Sequence, residues 1–302
     1  MENNLSDKNE NKDRKGRGVS HSKIILMGEH SVVYGYPAIA IPLKNIRIEC
    51  IVERATVPFV HNKKDTLSTA IYTALNYLNR KSENIKYKVI SDIPPKRGMG
   101  SSAAVSIAAI RGVLDYFNTE VDNLTLEKLV NEAEIIAHNT PSGLDAKTCL
   151  SDSAIKFIKN KGFKNLEMNL GAYLLIADTG IHGHTRDAIM DIKNMGGRAL
   201  PMLEKLGKLT EETEKFIEEK DVINIGKNMI SAHGELKKLG VSIKKSDILV
   251  KTAIDEGAYG AKMSGGGLGG CIIALMESRE KAEMTGKKLM EKGAVNIWIE
   301  AL

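Results

Sequence analysis

The sequence predicts an α+β protein built from two domains. Its 302 residues are more than one hydrophobic core usually serves. Stretches with the 3.6-residue periodicity of amphipathic helices are interspersed with short apolar stretches typical of strands. The pattern changes near Asn169, after which a strongly apolar strand begins. We therefore predict a disordered polar tail at residues 1–18, an N-terminal domain at 19–169 and a C-terminal domain at 170–302.

The predicted elements of the N-terminal domain are defined by the spacing of their apolar residues. Ile85, Tyr87 and Val89 alternate along one side of a half-buried strand. Apolar residues recur at helical spacing from Leu67 to Leu78, which indicates a helix packed on a sheet. In chain order, we predict strands at residues 23–27, 38–42 and 46–52, a helix at 65–80, a strand through 85–89, and helices at 103–117 and through 126–137.

The predicted elements of the C-terminal domain begin with an apolar strand at residues 172–178. A long helical stretch at 185–239 follows, broken near residues 196–201 and 221, where glycine, proline or aspartate interrupts the pattern. The remaining prediction is a helix at 247–256, a strand, glycine loop and strand at 260–275, a helix at 279–292 and a strand at 295–300.

The composition is that of an ordinary globular protein, with 42% hydrophobic and 27% charged residues. No apolar run reaches the roughly 18 residues that a membrane span needs, and the N-terminus has no apolar signal core. Three cysteines without metal-type spacing suit a reducing compartment, so we predict a cytoplasmic protein. The net charge of +5 fits a phosphorylated ligand as well as nucleic acid, but no aromatic array lies beside a basic cluster, which disfavours nucleic acid.

A glycine-rich turn at residues 94–104 is the strongest single indication of a ligand. Two prolines end the preceding strand, Gly98 and Gly100 permit unusual backbone torsions, and a helix follows that Ser101 or Ser102 can cap. A helix N-terminus presents unpaired N–H groups that suit a phosphate, and Lys96 and Arg97 add positive charge.

Two other interpretations of this turn are weaker or remain open. A dinucleotide fingerprint would need a second strand about 20 residues later that ends in an acid, and the chain is polar there. A Walker-type loop is excluded because no Gly-Lys-Ser/Thr sequence ends the turn. A capped helix after a tight turn, with no ligand, remains an alternative.

Several ionisable residues lie at the ends of predicted helices and strands, where catalytic residues occur but residues that only form turns are more frequent. Glu29 and His30 follow a buried strand, Glu134 lies at the edge of an apolar helical stripe, and Asp145 follows a glycine turn. Each of these has a plain structural interpretation, and Lys147 is expected to be a surface charge. His182 and His184 lack a third ligand at fixed spacing, which disfavours a metal site. The glycines at 264–270 are too many for a simple hairpin and indicate close approach of the backbone to a ligand or to the other loop.

Three separated segments together resemble, in order and spacing, the motifs of the GHMP small-molecule kinases. The segments are Lys23-x-x-x-x-Gly28-Glu29-His30, Pro94-x-x-x-Gly98-x-Gly100-Ser101-Ser102-Ala103 and the glycine run at 264–270. Within that family, residues 28–35 and the loop Pro141-Ser142-Gly143-x-Asp145 are similar to the branch that acts on mevalonate. Departures from the common patterns leave fine substrate preference open; they are Met99, Leu268, Asn139 and Ala146.

The resemblance implies a fold and a reaction. The N-terminal domain would be like the second domain of ribosomal protein S5 and the C-terminal domain would be ferredoxin-like, with nucleotide and substrate sharing the cleft between them. ATP and Mg²⁺ would serve to phosphorylate the primary hydroxyl of mevalonate, giving 5-phosphomevalonate and ADP on the route to isoprenoids.

The resemblance also implies roles for individual residues. Asp145 matches the catalytic aspartate of the family and Lys23 its catalytic lysine, while Ser102 and Glu134 match its magnesium ligands. The substrate-side positions are Glu29, His30, Ser142, Gly143, Thr185, Gly265 and Gly266. The nucleotide-binding positions are Pro95, Lys96, Arg97, Gly98, Met99, Gly100, Ser101, Ser102, Ala103 and Ala104.

Two other classes of function remain open at this stage. One is a sibling enzyme: a kinase of phosphomevalonate or homoserine, or an ATP-dependent diphosphomevalonate decarboxylase. The stretch from Lys23 to Gly35 argues against these. The other is a catalytically silent relative that senses a ligand or binds a partner, and the joint presence of Lys23, Ser102, Glu134 and Asp145 argues against it. A homodimer is left open.

Overall fold

The structure is a computed structural model that describes residues 14–93, 97–138 and 143–302, with only the backbone at 136–138. The chain divides into two compact units. Unit 1 contains the described residues among 1–22, 46–93 and 100–150, and unit 2 contains those among 23–45, 94–99 and 151–302. This division differs from the predicted single boundary at residue 169, because strands β1 and β2 contribute residues to both units.

The described residues form nine strands and nine helices. The strands are β1 Lys15–Met27, β2 Ala38–Arg54, β3 Ile85–Ser91, β4 Ala154–Ile158, β5 Gly162–Leu166, β6 Tyr173–Asp178, β7 Gly260–Ser264, β8 Cys271–Met276 and β9 Asn296–Ala301. The helices are α1 Thr66–Tyr77, α2 Ser101–Tyr116, α3 Asn123–His138, α4 Leu144–Cys149, α5 Thr185–Met195, α6 Leu200–Glu218, α7 Val222–Lys238, α8 Lys244–Asp255 and α9 Arg279–Glu291. Short 3-10 helices lie at Ser31–Tyr34 and Gly196–Ala199.

The first sheet has five strands in the order β1-β2-β4-β5, with β3 also paired to β2. Strand β2 runs antiparallel to β3 from Ile48↔Ser91 to Arg54↔Ile85 and antiparallel to β4 from Ala38↔Phe157 to Ala40↔Ile155. In unit 1, α1, α2 and α3 pack against one another, and α4 packs on α2 and α3. Asp65 begins α1 by accepting a hydrogen bond from the Ser68 N–H, as an N-cap aspartate does.

Strand β1 begins earlier than the sequence predicts. Residues 15–18, expected to belong to the disordered tail, form the start of β1. Its inward positions are Gly16 and Gly18, and a Cβ on Gly18 would lie 2.0 Å from the Ala108 carbonyl oxygen of α2. Because glycine lets the helix backbone approach this closely, the buried positions at 15–18 carry no apolar side chains and give no hydrophobic signal.

Two further strands of this sheet differ from the prediction. Strand β2 is continuous where two strands were expected, because Lys44 and Asn45 are exposed polar residues within one strand. The hairpin of β4 and β5 was not predicted at all. Strand β5 is exposed along most of its length, so it lacks the alternation that identifies a half-buried strand.

The second sheet lies in unit 2 and has the antiparallel order β7-β8-β6-β9. Helices separate β6 from β7, β8 follows β7 directly, and α9 leads to β9, so this is the split β-α-β arrangement of a ferredoxin-like fold. The predicted class of this part is therefore confirmed, as is the helix-rich middle at α5–α7. No helix in the described ranges is both long enough and apolar enough to cross a membrane.

Candidate functional site

The glycine-rich turn before α2 leaves the start of that helix uncapped by any side chain. Gly98 and Gly100 have φ values of 76° and 68°, in the left-handed region that favours glycine. Gly100 is itself the N-cap residue, so the prediction that Ser101 or Ser102 caps the helix is wrong. Glycine has no side-chain oxygen to accept from the first-turn N–H groups, and such a helix start suits an anion. Pro95 and Lys96 lie outside the described residues.

Arg97 differs in its surroundings from the other residues of this turn. Its Nε lies 2.9 Å from Asp178 Oδ2, and the Asp178 side chain is completely buried at the end of β6. The guanidinium was expected to add positive charge beside a phosphate. Because Asp178 compensates that charge, the side chain anchors the turn within unit 2 instead.

The two glycine-rich loops contact each other through their backbones. A Cβ on Gly98 would lie 3.3 Å from the Ser264 carbonyl oxygen, and one on Gly265 would lie 3.0 Å from the Gly98 Cα. Gly265, Gly267, Gly269 and Gly270 also have positive φ values. The close backbone approach predicted from the glycine run is therefore confirmed, and its partner includes the other loop.

Lys23 lies on the same side of unit 2 as these loops. Its backbone N–H donates to the Met99 carbonyl oxygen at 3.2 Å, and its side chain is buried. Two residues further along β1, the Ile25 carbonyl oxygen accepts a 2.7 Å hydrogen bond from Ser264 Oγ. These contacts hold the end of β1 against both loops, so they place the predicted catalytic lysine beside the turn.

Glu29 forms a buried ion pair with Lys262 of β7, a residue that the sequence prediction missed. Lys262 Nζ donates to Glu29 Oε1 and, at 2.8 Å, to the Met263 carbonyl oxygen. Burial raises the pKa of the Glu29 carboxyl, and the positive charges of Lys262 and Lys23 oppose that rise. A lysine in an otherwise apolar buried strand just before a glycine loop is a signal that could have identified it.

His30 lies next to the glycine loop in an unusual backbone conformation, with φ 62°. A Cβ on Gly267 would lie 3.5 Å from His30 Nε2, and this nitrogen has no hydrogen-bond partner within the described part of the chain. Burial, with the Lys262 charge nearby, lowers the pKa of His30 to about 4. The imidazole is therefore neutral near pH 7.

Thr185 meets the same loop at the start of α5. A Cβ on Gly266 would lie only 1.8 Å from Thr185 Oγ1, and the neighbouring His184 N–H donates to the Gly267 carbonyl oxygen at 3.1 Å. The structure thus brings together in unit 2 five of the predicted substrate-side positions: Glu29, His30, Thr185, Gly265 and Gly266. Of the other two, Ser142 lies outside the described residues and Gly143 is the N-cap residue of α4 in unit 1.

A carboxylate and two hydroxyls form a cluster in unit 1. Ser102 Oγ donates to Glu134 Oε1 at 2.9 Å, and Ser106 Oγ donates to the same oxygen at 3.2 Å. Glu134 is buried, so its position at the edge of the apolar stripe of α3 does not bring its carboxyl to solvent. Ser106 was not predicted, although it lies one helical turn after Ser102 on an otherwise apolar helix.

This cluster has the chemistry of a magnesium site with few protein ligands. Mg²⁺ prefers oxygen donors and keeps several waters or phosphate oxygens, so a hydroxyl and a carboxylate suffice from the protein. Among the described residues, no group of three or more His, Cys, Asp or Glu could hold a metal by itself. Ser102 and Glu134 therefore fit Mg²⁺ that arrives with a phosphorylated ligand, and do not fit a closed structural metal centre.

Asp145 lies in the first turn of α4, two residues after Gly143, whose φ is 77°. Its side chain is half-buried. On the same short helix, Lys147 Nζ forms a 2.7 Å ion pair with Glu127 of α3, as expected for a surface charge. The left-handed glycine turn and the packing of α4 on α2 and α3 position the backbone of Asp145 in unit 1.

Comparison with protein families finds two matches. The family model for the GHMP kinases N terminal domain matches residues 69–152, and the model for the GHMP kinases C terminal domain matches residues 213–293. The first match contains α2, Glu134 and Asp145, and the second contains Lys262 and the glycine loop.

Individual proteins resemble the chain over nearly its whole length. A mevalonate kinase from Pyrococcus furiosus is 32% identical, with 89% of this chain and 91% of the relative covered. The solved mevalonate kinase of methicillin-resistant Staphylococcus aureus MRSA252 superposes with a TM-score of 0.78 at 29% identity, covering 96% of this chain and 99% of the other. The L. major mevalonate kinase, solved with R-mevalonate, shares the fold with a TM-score of 0.84 at 24% identity, covering 94% of each chain.

Proposed function

Since the chain belongs to the GHMP kinase family, we propose that it transfers the γ-phosphoryl group of ATP to the primary hydroxyl of mevalonate. The products are 5-phosphomevalonate and ADP. The observation that carries this proposal is the 32% identity to a mevalonate kinase across 89% of the chain. The cluster of Glu29, His30 and Thr185 around the second glycine loop supports it, because the residues and the loop come from three distant parts of the sequence.

Backbone groups of the glycine-rich turn and of α2 bind the phosphates of ATP. The uncapped N–H groups at the start of α2 and the positive end of its dipole attract the phosphate oxygens. Positive φ values at Gly98 and Gly100 turn the backbone of the loop so that its amides can face the phosphates. Arg97 contributes by holding this loop in place.

Ser102 and Glu134 would hold Mg²⁺, because a hydroxyl and a carboxylate are oxygen donors of the kind that this cation prefers. When bound there, the cation would supply positive charge to the phosphate groups. Ser106 keeps the Glu134 carboxylate oriented, because it donates to the oxygen that Ser102 also contacts.

Asp145 accepts the proton of the acceptor hydroxyl as its oxygen bonds to the γ-phosphorus. The bond between that phosphorus and the oxygen bridging it to the β-phosphorus breaks at the same time, and ADP leaves with the electron pair. Lys23 stabilises negative charge on the transferred group. Such positioning and charge neutralisation are the main contributions a protein makes to phosphoryl transfer.

The acceptor is bound by the polar groups around the second glycine loop. Glu29 Oε2 can accept a hydrogen bond from a hydroxyl, and His30 Nε2 and Thr185 Oγ1 can orient the other polar groups of a short hydroxy acid. Both ATP and this acceptor are water-soluble metabolites, in keeping with the predicted cytoplasmic location.

A coupled assay of ADP release tests the proposal. The purified chain is supplied with ATP and Mg²⁺ and with one acceptor at a time: mevalonate, phosphomevalonate, homoserine or galactose. We expect ADP release with mevalonate and a product heavier by one phosphoryl group. Preference for another acceptor would assign the chain to a sibling activity, and no release with any of them would support a silent relative.

A further inference from the structure

Lys262 is a completely buried charge in unit 2, and the proposed reaction assigns it no role. Its side chain is completely buried on β7 and ends at Glu29 Oε1, on the segment that follows β1. Removing two opposite charges from water is costly, and a purely structural pair gains little over apolar residues of similar volume. A buried pair at this position therefore suggests a purpose beyond stability.

Glu29 and His30, which follow β1, each present a polar atom with no hydrogen-bond partner in the described part of the chain. Lys262 occupies only one of the two Glu29 oxygens, and Glu29 Oε2 has no hydrogen-bond partner among the residues described. The adjacent His30 Nε2, which lies beside Gly267, also has no hydrogen-bond partner among the residues described. Buried polar atoms are rarely left unsatisfied, and two neighbouring examples point to a ligand that completes them.

The charges around Glu29 come from several elements, and only Lys262 contacts it directly among the interactions described. Lys23 of β1 acts on it at longer range, and His30 is neutral because its pKa lies at about 4. Next to Lys262 in the sequence, the Met263 N–H donates to His233 Nδ1, and burial lowers the pKa of His233 to about 4 as well. His233 faces Asp247 and Lys237 and does not contact Glu29 in the described contacts.

We propose that Lys262 is a positioning residue for the phosphoryl acceptor. It holds Glu29 as a carboxylate in a single orientation, with Oε1 on its ammonium group and Oε2 directed to a hydroxyl of the acceptor. The proposal rests on the proposed function, since the ligand that completes Glu29 is taken to be the hydroxy acid being phosphorylated. A purely structural role would need only the volume of the Lys262 side chain, whereas this positioning role also needs its charge.

Steady-state kinetics of Lys262→Met, Lys262→Arg and Glu29→Gln test this role. Methionine keeps most of the volume and removes the charge, whereas arginine keeps the charge. We expect Lys262→Met to raise the KM for the acceptor by about tenfold to a hundredfold, the value of one charge-assisted hydrogen bond, while the KM for ATP changes less than twofold. Lys262→Arg should recover part of the loss. An unchanged acceptor KM in a folded Lys262→Met protein would overturn the proposal.

The pH profile separates positioning from mere support of the fold. Without the ammonium group, the pKa of Glu29 rises further, so kcat/KM for the acceptor should fall as the pH drops through a new inflection that the wild type lacks. Adding Glu29→Gln to Lys262→Met should abolish that inflection. A variant with weaker binding but the wild-type pH profile would show that Lys262 only supports the fold, and would overturn the proposal.

Two controls keep the outcome clear. If Lys262→Met does not fold, Lys262→Gln, which retains a hydrogen-bond donor, takes its place in the same pH series. ADP release by the wild type with mevalonate is measured first, and its absence would show that the proposed function fails. Failure of the Lys262 role would appear only in the ratio of the acceptor KM of the variant to that of the wild type. If the wild type prefers another acceptor, the ratio is measured with that acceptor, and the same two results decide.

Discussion

Arg97 and Asp178 form an ion pair that ties the phosphate-binding turn to the end of β6, with Nε and Oδ2 2.9 Å apart. The other Asp178 oxygen accepts the Gly180 N–H at 2.8 Å, which fixes the carboxylate in place. Next to it, a Cβ on Gly270 would lie 3.0 Å from the Arg97 carbonyl oxygen. A cation one residue before the first loop glycine is thus used to hold the loop rather than to bind a phosphate.

Replacing only one partner of this ion pair should strongly lower the free energy of unfolding. Arg97→Met or Asp178→Asn leaves one buried group without its partner, which costs about 3–5 kcal/mol of unfolding free energy. The double variant should lose clearly less than the sum of the two single losses. Urea unfolding measures all three. The exposed pair of Arg279 and Glu283 supplies the control, because Arg279→Met should leave the urea midpoint nearly unchanged. Additive losses at Arg97 and Asp178 would contradict the pairing.

Replacing Asp145 should affect turnover and spare nucleotide binding. Asp145→Asn keeps the shape of the side chain and removes its ability to accept a proton, so kcat should fall by about 10²–10⁴-fold. The Kd for ATP should stay within about twofold, because the phosphates are bound by α2 and its preceding loop. The exposed Asp152 provides the matched control, and Asp152→Asn should behave like the wild type. A kcat near the wild-type value would remove Asp145 from the mechanism.

The cluster of Ser102, Ser106 and Glu134 predicts graded effects on the magnesium requirement. Glu134→Gln and Ser102→Ala each remove a direct ligand, and the Mg²⁺ concentration for half-maximal activity should rise by about tenfold or more. Ser106→Ala removes only one hydrogen bond to Glu134 and should have a smaller effect in the same direction. Titration with Mg²⁺ at fixed free ATP measures this order. Ser82→Ala, at an exposed serine, serves as the control. An unchanged magnesium requirement in Glu134→Gln would exclude Glu134 as a ligand.

The predictions from sequence succeeded where side chains carry the signal. Apolar periodicity located the helices of the described chain to within a few residues, except the short α4, since their buried faces are built from Leu, Ile and Ala. The density of glycines at 265–270 correctly indicated close backbone contact, because no other residue tolerates so many positive φ values.

The predictions from sequence failed where packing depends on a partner that is distant in the sequence. Gly16 and Gly18 look like a flexible tail until the backbone of α2 lies against them. Glu134 lies at the edge of a helical stripe, and only the serines of a second helix make it a buried acceptor. Lys262 is paired across 233 positions of sequence, which no local pattern encodes.

The contact between Gly266 and Thr185 predicts a sharp steric effect in the acceptor site. In Gly266→Ala the new Cβ would lie 1.8 Å from Thr185 Oγ1 and 2.6 Å from its Cβ, so the start of α5 must move. A displacement of about 1 Å at a reacting centre can cost 10²-fold, and we expect a loss of that order in kcat/KM for the acceptor. Gly234 on α7 has open space around it, so Gly234→Ala should keep full activity. Equal activity of the two variants would contradict the described contact.

Two buried histidines predict how stability depends on pH. Burial lowers the pKa of His30 and of His233 to about 4, against 6.5 for an exposed histidine. Between these values the unfolded chain binds more protons than the folded one, so the stabilisation is complete above pH 6.5 and is lost as the pH falls towards 4. The loss amounts to at most about 3 kcal/mol per histidine. Urea midpoints from pH 7.5 to 4.5 should therefore fall less steeply in His30→Gln and His233→Gln than in the wild type or in the exposed control His182→Gln, and parallel slopes in all four proteins would show that neither histidine is held neutral.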